Sequence, residues 1–112
     1  MIQLGIDIGG TSVKLAAMKD GKALWTGQSA FYSRPTTLEL IEAIRATAAG
    51  RVESVDVAGL CVPGLYDKQQ RMITLSVNVP GLMGIKLDDL IARALGGGIQ
   101  DLRIINDAVA TA

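Results

Sequence analysis

With 112 residues, 49% of them hydrophobic and 20% charged, the chain has the composition of one soluble globular domain, which argues against disorder over most of its length. Eleven basic and eleven acidic residues cancel, so no global field draws in nucleic acid or an anionic membrane. No apolar run approaches the roughly 18 residues of a membrane helix, and Met1-Ile2-Gln3 begins no secretion signal, so a cytoplasmic location is expected.

Ile2 to Ile8 alternates, with Ile2, Leu4, Ile6 and Ile8 on one face and Gln3, Gly5 and Asp7 on the other, the signature of a strand. Ser12–Met18 reads as a second strand and Ala23–Ser29 as a third, with Lys19-Asp20-Gly21-Lys22 as the hairpin turn between them. After a polar loop, Thr36 and Glu39 have capping-box spacing, and Leu38, Ile41, Ile44 and Ala48 predict the inner face of a helix that Gly50 stops. Ser54–Val62 is apolar enough for a strand buried on both faces, ended by Pro63-Gly64. The lone Cys61 lies within it and reads as a small buried hydrophobe.

From Leu65 to Ile85 mainly loop is expected, with a short strand at most over Arg71–Leu75. Lys86–Leu95 predicts a second helix with Leu87, Leu90, Ile91 and Ala94 inward and Gly96-Gly97-Gly98 as its stop. Leu102–Ile105 is a last strand, and Asn106-Asp107 opens a third helix that the chain leaves after about one turn, too short to stand alone. The sequence is therefore expected either to be cut from something larger or to find its missing half elsewhere.

Two motifs carry chemistry. Gly5-Ile6-Asp7-Ile8-Gly9-Gly10-Thr11 joins strand to strand, so it is neither a Walker loop nor a dinucleotide fingerprint, both of which lead into a helix. Glycines at such a turn let backbone N–H groups approach a phosphate, Thr11 adds a hydroxyl, and Asp7 on the open face suits a magnesium ion, directly or through water. A plain glycine-rich hairpin with a solvated aspartate explains the same residues. At Asn106-Asp107, the carboxylate can act as the base that phosphoryl transfer needs, and the amide suits a sugar hydroxyl, although both residue types also serve as ordinary helix caps.

Asp-Ile-Gly-Gly-Thr after an apolar strand, then Pro63-Gly64, then Asn78-Val79-Pro80-Gly81, then Asn106-Asp107, resembles the ROK family of repressors and sugar kinases in order and spacing. That family belongs to the actin, hexokinase and Hsp70 superfamily, with its ribonuclease H-like fold. The resemblance implies an α/β lobe: a mixed five-stranded sheet, three antiparallel strands and then parallel ones, flanked by helices. It covers essentially the whole chain but only about the first third of a typical member, so residues 1–112 are expected to be the N-terminal lobe of a two-lobe kinase whose C-terminal lobe is absent here.

By the same resemblance, Asp7, Gly9, Gly10 and Thr11 form the first phosphate loop for ATP and magnesium, with Asp7 toward the metal. Asp107 is the catalytic base, and Gly64, Asn78 and Asn106 face the sugar, a hexose or N-acetylhexosamine. Gly64 and Asn78 also have ordinary turn-forming explanations. Lys14 lies within a strand and reads as solvated. Leu82-Met83, Ile105 and Val109 depart from the residues many family kinases carry there, which leaves the identity of the sugar open.

The activity implied is ATP-dependent phosphorylation of a sugar hydroxyl, glucokinase-like, with this chain alone expected to be inactive. The alternatives are a sugar-sensing regulator of the same family, disfavoured because the first strand starts at Ile2 and leaves no room ahead of it for a helix-turn-helix, and a non-catalytic interaction domain. A covering second lobe or a homo-oligomer is the expected partner for the exposed face.

Overall fold

The computed structural model describes residues 2–51, 55–97 and 99–106. β1 (Ile2–Ile8) follows its alternation: Leu4, Ile6 and Ile8 are buried, and Gln3, Gly5 and Asp7 are exposed. β2 (Val13–Lys19) and β3 (Lys22–Gln28) form the expected hairpin. Asp20 and Gly21 both take positive φ, 51° and 78°, as a tight turn between right-twisted strands demands. β4 (Val55–Val62) and β7 (Asp101–Asn106) then run parallel to β1, giving a five-stranded sheet in the order β3-β2-β1-β4-β7. This is the mixed sheet expected, and it sets the carboxyl ends of β1, β4 and β7 along one edge. In α/β sheets that edge is where ligands bind.

The capping box at the start of α1 (Thr37–Ala48) is fully formed: Thr36 Oγ1 accepts from the Glu39 amide at 3.2 Å, and Glu39 Oε1 accepts from the Thr36 amide at 3.0 Å. The inner stripe differs from the expected one at its first member. Leu40, Ile41, Ile44, Thr47 and Ala48 are buried, whereas Leu38 is 65% exposed. Leu38 lies about 200° round the helix from Leu40 and so faces away from the sheet. The helix ends at Ala48, two residues before Gly50, with its cap Ala49 in the left-handed conformation.

β4 is not buried on both faces as expected. Val55, Ala58, Leu60 and Val62 are buried, while Gly59 and Cys61 stay half-open. The reason is that α1 and α2 (Leu87–Leu95) pack on each other and share one core with a single face of the sheet. The other face is floored by small and polar residues (Gly5, Asp7, Lys14, Ala16, Gly59 and Cys61) in a shallow concavity of about 730 Å³. In α2, Leu87, Leu90, Ile91 and Ala94 are buried as expected, and Gly96 provides the left-handed cap.

Between β4 and α2 the chain holds more structure than expected. β5 (Leu65–Asp67) pairs with β6 (Met72–Leu75) in a separate hairpin, and a 3-10 turn spans Pro80–Leu82. β5 has three residues and no apolar alternation to announce it. Its turn is closed by Asp67, whose Oδ1 accepts from the amides of Gln69 and Gln70 at 3.0 and 3.2 Å. The third helix expected from Asn106-Asp107 lies outside the described residues beyond Asn106, which itself ends β7.

Arg71 ties this hairpin to the rest. Its guanidinium grips Asp88 in the first turn of α2 at 2.7 and 3.0 Å and donates to the Leu102 carbonyl of β7 at 2.7 Å. The hydrogen bonds from Arg71 hold the Asp88 carboxyl below its ordinary value of 3.8. A depressed carboxyl contributes stability above its unfolded value and loses it as pH falls through the folded one. The two side chains are 38% and 45% exposed, so water screens the pair. Asp88→Asn is expected to cost under about 1 kcal/mol at neutral pH. It should also flatten the acid limb of stability below about pH 4; urea unfolding from pH 3 to 7 measures both.

Candidate functional site

The turn Gly9–Thr11 leaves β1 at the ligand-binding edge. Inside it the Gly9 amide donates to the Ser12 carbonyl at 2.9 Å, which draws the chain so close that a Cβ on Gly9 would stand 3.1 Å from that oxygen. Gly10 is different. Its φ is not in the left-handed region, and a Cβ there would meet only the Asn78 Cβ, at an ordinary 3.8 Å. Folding does not require glycine at position 10, so the missing side chain there keeps space open. The Gly10 and Thr11 amides have no acceptor among the described residues, and both residues are exposed. Unpaired, solvent-facing amides at a glycine turn are what an anion needs.

Asp7 sits two residues earlier, exposed, paired in register with Lys14 of β2 and Cys61 of β4. Among the described residues neither the Asp7 nor the Lys14 side chain makes a hydrogen bond or ion pair. No group of three or more His, Cys, Asp or Glu side chains is gathered among the described residues. Asp7 is the carboxylate that the described residues offer beside this turn, and a carboxylate oxygen there could hold a magnesium ion that arrives with phosphate and keeps much of its water.

Tyr32, from the loop between β3 and α1, meets the same turn twice: its hydroxyl donates to the Gly9 carbonyl at 2.6 Å and its amide to the Thr11 carbonyl at 2.8 Å. Burial, and then the negative charge of Asp7, push its phenol up to about 12. Sequence reasoning missed this residue, because one aromatic in a loop carries no local signal.

Asn78 is exposed at the tip of a turn in which buried Ser76 Oγ accepts from the Val79 amide at 3.2 Å and Val79 is fully buried. The next two residues lock that turn down. Pro80 opens the 3-10 turn, and the Gly81 amide donates to the Pro35 carbonyl at 2.9 Å while its own carbonyl accepts from Thr37 Oγ1 at 2.6 Å. A Cβ on Gly81 would lie 2.4 Å from the Thr36 carbonyl carbon. Asn-x-Pro-Gly is thus one functional-type residue carried on a buried, helix-anchored base, held beside Gly10.

At the neighbouring strand ends, Asn106 Nδ2 donates to the carbonyls of Val62 and Gly64 at 3.2 and 2.9 Å. Its amide hydrogens serve the end of β4, and its Oδ1 has no donor among the described residues. Gly64 has φ +103°, and a Cβ there would stand 2.4 Å from the Leu75 carbonyl oxygen, so backbone geometry alone demands glycine. Asp107 lies outside the described residues. The structure therefore brings together Gly10 with Asn78, and Gly64 with Asn106, on one edge.

The sequence matches the ROK family over residues 3–112. The chain belongs to the ROK family. Solved structures share its fold: a ROK family protein of Streptococcus pneumoniae in complex with sucrose (23% identity, TM-score 0.71) covers 96% of this chain, which spans 35% of that one. A ROK family glucokinase of Streptomyces griseus, in complex with glucose and AMPPNP, has 22% identity and a TM-score of 0.69, with 96% of this chain covering 33% of that one. A ROK family transcriptional regulator, a homolog of the E. coli MLC protein, has 16% identity and a TM-score of 0.68, with 95% covering 28%. No curated protein sequence matches the chain. This ROK chain thus spans about a third of the length of the solved chains it matches, and its sheet is that of the actin-like ROK fold. No helix among the described residues is long and apolar enough to cross a membrane.

Proposed function

We propose that the chain is the N-terminal lobe of an ATP-dependent sugar kinase that phosphorylates a hydroxyl of a hexose or N-acetylhexosamine. The observation that carries this reading is the open Gly9–Thr11 turn, with two unpaired amides, Asp7 beneath it and Asn78 packed beside Gly10. In this reading the Gly10 and Thr11 amides and the Thr11 hydroxyl bind phosphate oxygens, and Asp7 holds magnesium directly or through water. Asn78, the Gly64 backbone and Asn106 Oδ1 face the sugar. Asp107 takes the proton from the attacking hydroxyl, and bound Mg-ATP supplies the phosphoryl group. A second lobe closes over the open edge, excludes water and completes the phosphate site, so residues 1–112 alone turn over essentially nothing. A cytoplasmic location, where ATP is supplied, belongs to the same reading.

The second reading is a sugar-sensing regulator of the same family, and it has the support that one of the similar structures is a ROK family transcriptional regulator. Operator DNA binding with no phosphoryl transfer by the longer protein is the outcome that would favour that reading.

Gly10→Ala tests the proposed site directly. The new methyl meets nothing closer than 3.8 Å and forces no positive φ, so stability should hold within about 1 kcal/mol. That methyl would occupy the space proposed for phosphate, and Mg-ATP affinity should fall at least about tenfold, the equivalent of 1.4 kcal/mol. Mg-ATP titration followed by the amide resonances of residues 9–11, beside a thermal melt, reads both effects. Equal affinity in the variant, or no response of these amides in the parent chain, would overturn the assignment.

A further inference from the structure

We propose that Tyr32 is the positioning residue of the phosphate turn: it anchors the Gly9 and Thr11 carbonyls on the protein side and thereby fixes the Gly10 amide donor toward the ligand. The proposal rests on the kinase reading above and adds to it a residue that touches neither substrate nor metal.

The need for such a residue follows from the two glycines. Gly9 clears the tight approach to Ser12 and Gly10 clears the space for phosphate, but together they leave the peptide plane between them with no side chain on either flank to resist rotation. In a planar trans peptide the C=O of one residue and the N–H of the next point to opposite sides. If the Gly9–Gly10 peptide turns over, the Gly9 oxygen faces the anion in place of the Gly10 N–H. A bound phosphate would then meet a repelling dipole at the centre of its cradle.

The Tyr32 hydroxyl removes that freedom. Its 2.6 Å bond to the Gly9 oxygen holds that carbonyl inward and so leaves the Gly10 N–H outward. The Tyr32 amide fastens the far end of the turn, the Thr11–Ser12 peptide, through the Thr11 oxygen at 2.8 Å. The reach is built into the chain. After β3, Ser29 and Tyr32 run alongside the turn, the Ser29 amide bonding the Val13 carbonyl at 2.8 Å and Ser29 Oγ accepting from the Val13 amide at 2.9 Å. The Tyr32 ring packs against the core, so the hydroxyl is delivered from a fixed body.

The phenol also remains a donor. Burial and the Asp7 carboxylate raise it to about 12, and a group raised in this way keeps its contribution fully below its ordinary value of 10.0 and loses it only as pH climbs through the raised one. The anchoring bond is therefore in place throughout the neutral range.

Tyr32→Phe removes only the hydroxyl and keeps the ring, the packing and the amide bond to Thr11. On the 112-residue chain the variant should melt within a few degrees of the parent. Its Mg-ATP affinity should nevertheless fall about five- to tenfold, since one anchoring hydrogen bond is lost from the free turn. The Gly10 amide should gain exchange on the microsecond-to-millisecond scale in relaxation dispersion without ligand, a readout a purely structural tyrosine would not confine to this turn. Inorganic phosphate serves as a second probe and should weaken in parallel. Parent-like affinity and a static Gly10 amide in Tyr32→Phe would overturn the role of Tyr32 while leaving the kinase reading intact. A parent chain whose Gly10 amide ignores Mg-ATP would sink both. Exchange spread through the sheet in the variant would mark a packing defect and also overturn the proposal.

Discussion

Gly64→Ala is expected to lower the melting temperature by at least about 8 °C, taking about 4–8 °C per kcal/mol. Two costs add. A φ of +103° is one that L side chains rarely adopt, and the new Cβ would stand 2.4 Å from the Leu75 carbonyl oxygen. Left-handed strain costs about 1–2 kcal/mol and overpacking about 1–3 more. The sum is a large part of the roughly 5–15 kcal/mol that holds a domain together. The neighbour cannot yield cheaply, because Leu75 is backbone of β6 and is paired with Leu65. Gly84→Ala is the control: its φ is +80°, yet nothing lies within 4 Å, so it carries the conformational cost alone. If the two variants melt together, the close approach at Gly64 is softer than the geometry states. The same contact matters for the site, since the Gly64 carbonyl is one of two that the Asn106 amide holds.

The parts of this fold that could be read from the sequence are those whose cause is local. The capping box at Thr36 and Glu39, the Asp20-Gly21 turn and the α2 stripe of Leu87, Leu90, Ile91 and Ala94 each depend on residues within a few positions of one another. Leu38 was misplaced because one apolar residue in the first turn fits a stripe on either side until the sheet fixes which face is inward. The half-open face of β4 depends on where α1 and α2 settle, and β5 on a partner strand. Neither leaves a mark in its own residues.

The candidate site divides in the same way. Asp7 and the Gly9–Thr11 turn are visible as a pattern, and the sheet order places them at the edge formed by the carboxyl ends of β1, β4 and β7. That Asn78 stands beside Gly10 is a tertiary fact, carried by Val79 in the core and Gly81 against α1. The split also sharpens what the glycines mean. Gly64 and Gly81 are demanded by backbone contacts and Gly9 is closely approached by one, whereas Gly10 meets nothing closer than 3.8 Å, so folding does not explain the glycine at that point of the turn.

Asp107→Asn, in a protein extended through the second lobe, is expected to reduce kcat by about 10²–10⁴, the usual contribution of a positioned general base. This substitution separates the two readings of Asn106-Asp107. Asparagine caps a helix as well as aspartate does, so a residue serving only as a cap would keep stability and activity alike. A base cannot be replaced in that way, because a carboxamide does not accept the proton. The KM for sugar should change little, since the substitution preserves size and hydrogen bonding and removes only an interaction that develops as the proton moves. Asn106, which ends β7 and is tied through Nδ2 to Val62 and Gly64 at the end of β4, stands at the same sheet edge as the Gly9–Thr11 turn. Asp107→Ala supplies the other arm, costing about 1 kcal/mol if the residue caps a helix as well. Full turnover in Asp107→Asn would leave the cap reading standing and remove the proposed base; loss of turnover with an unchanged melting temperature would establish it.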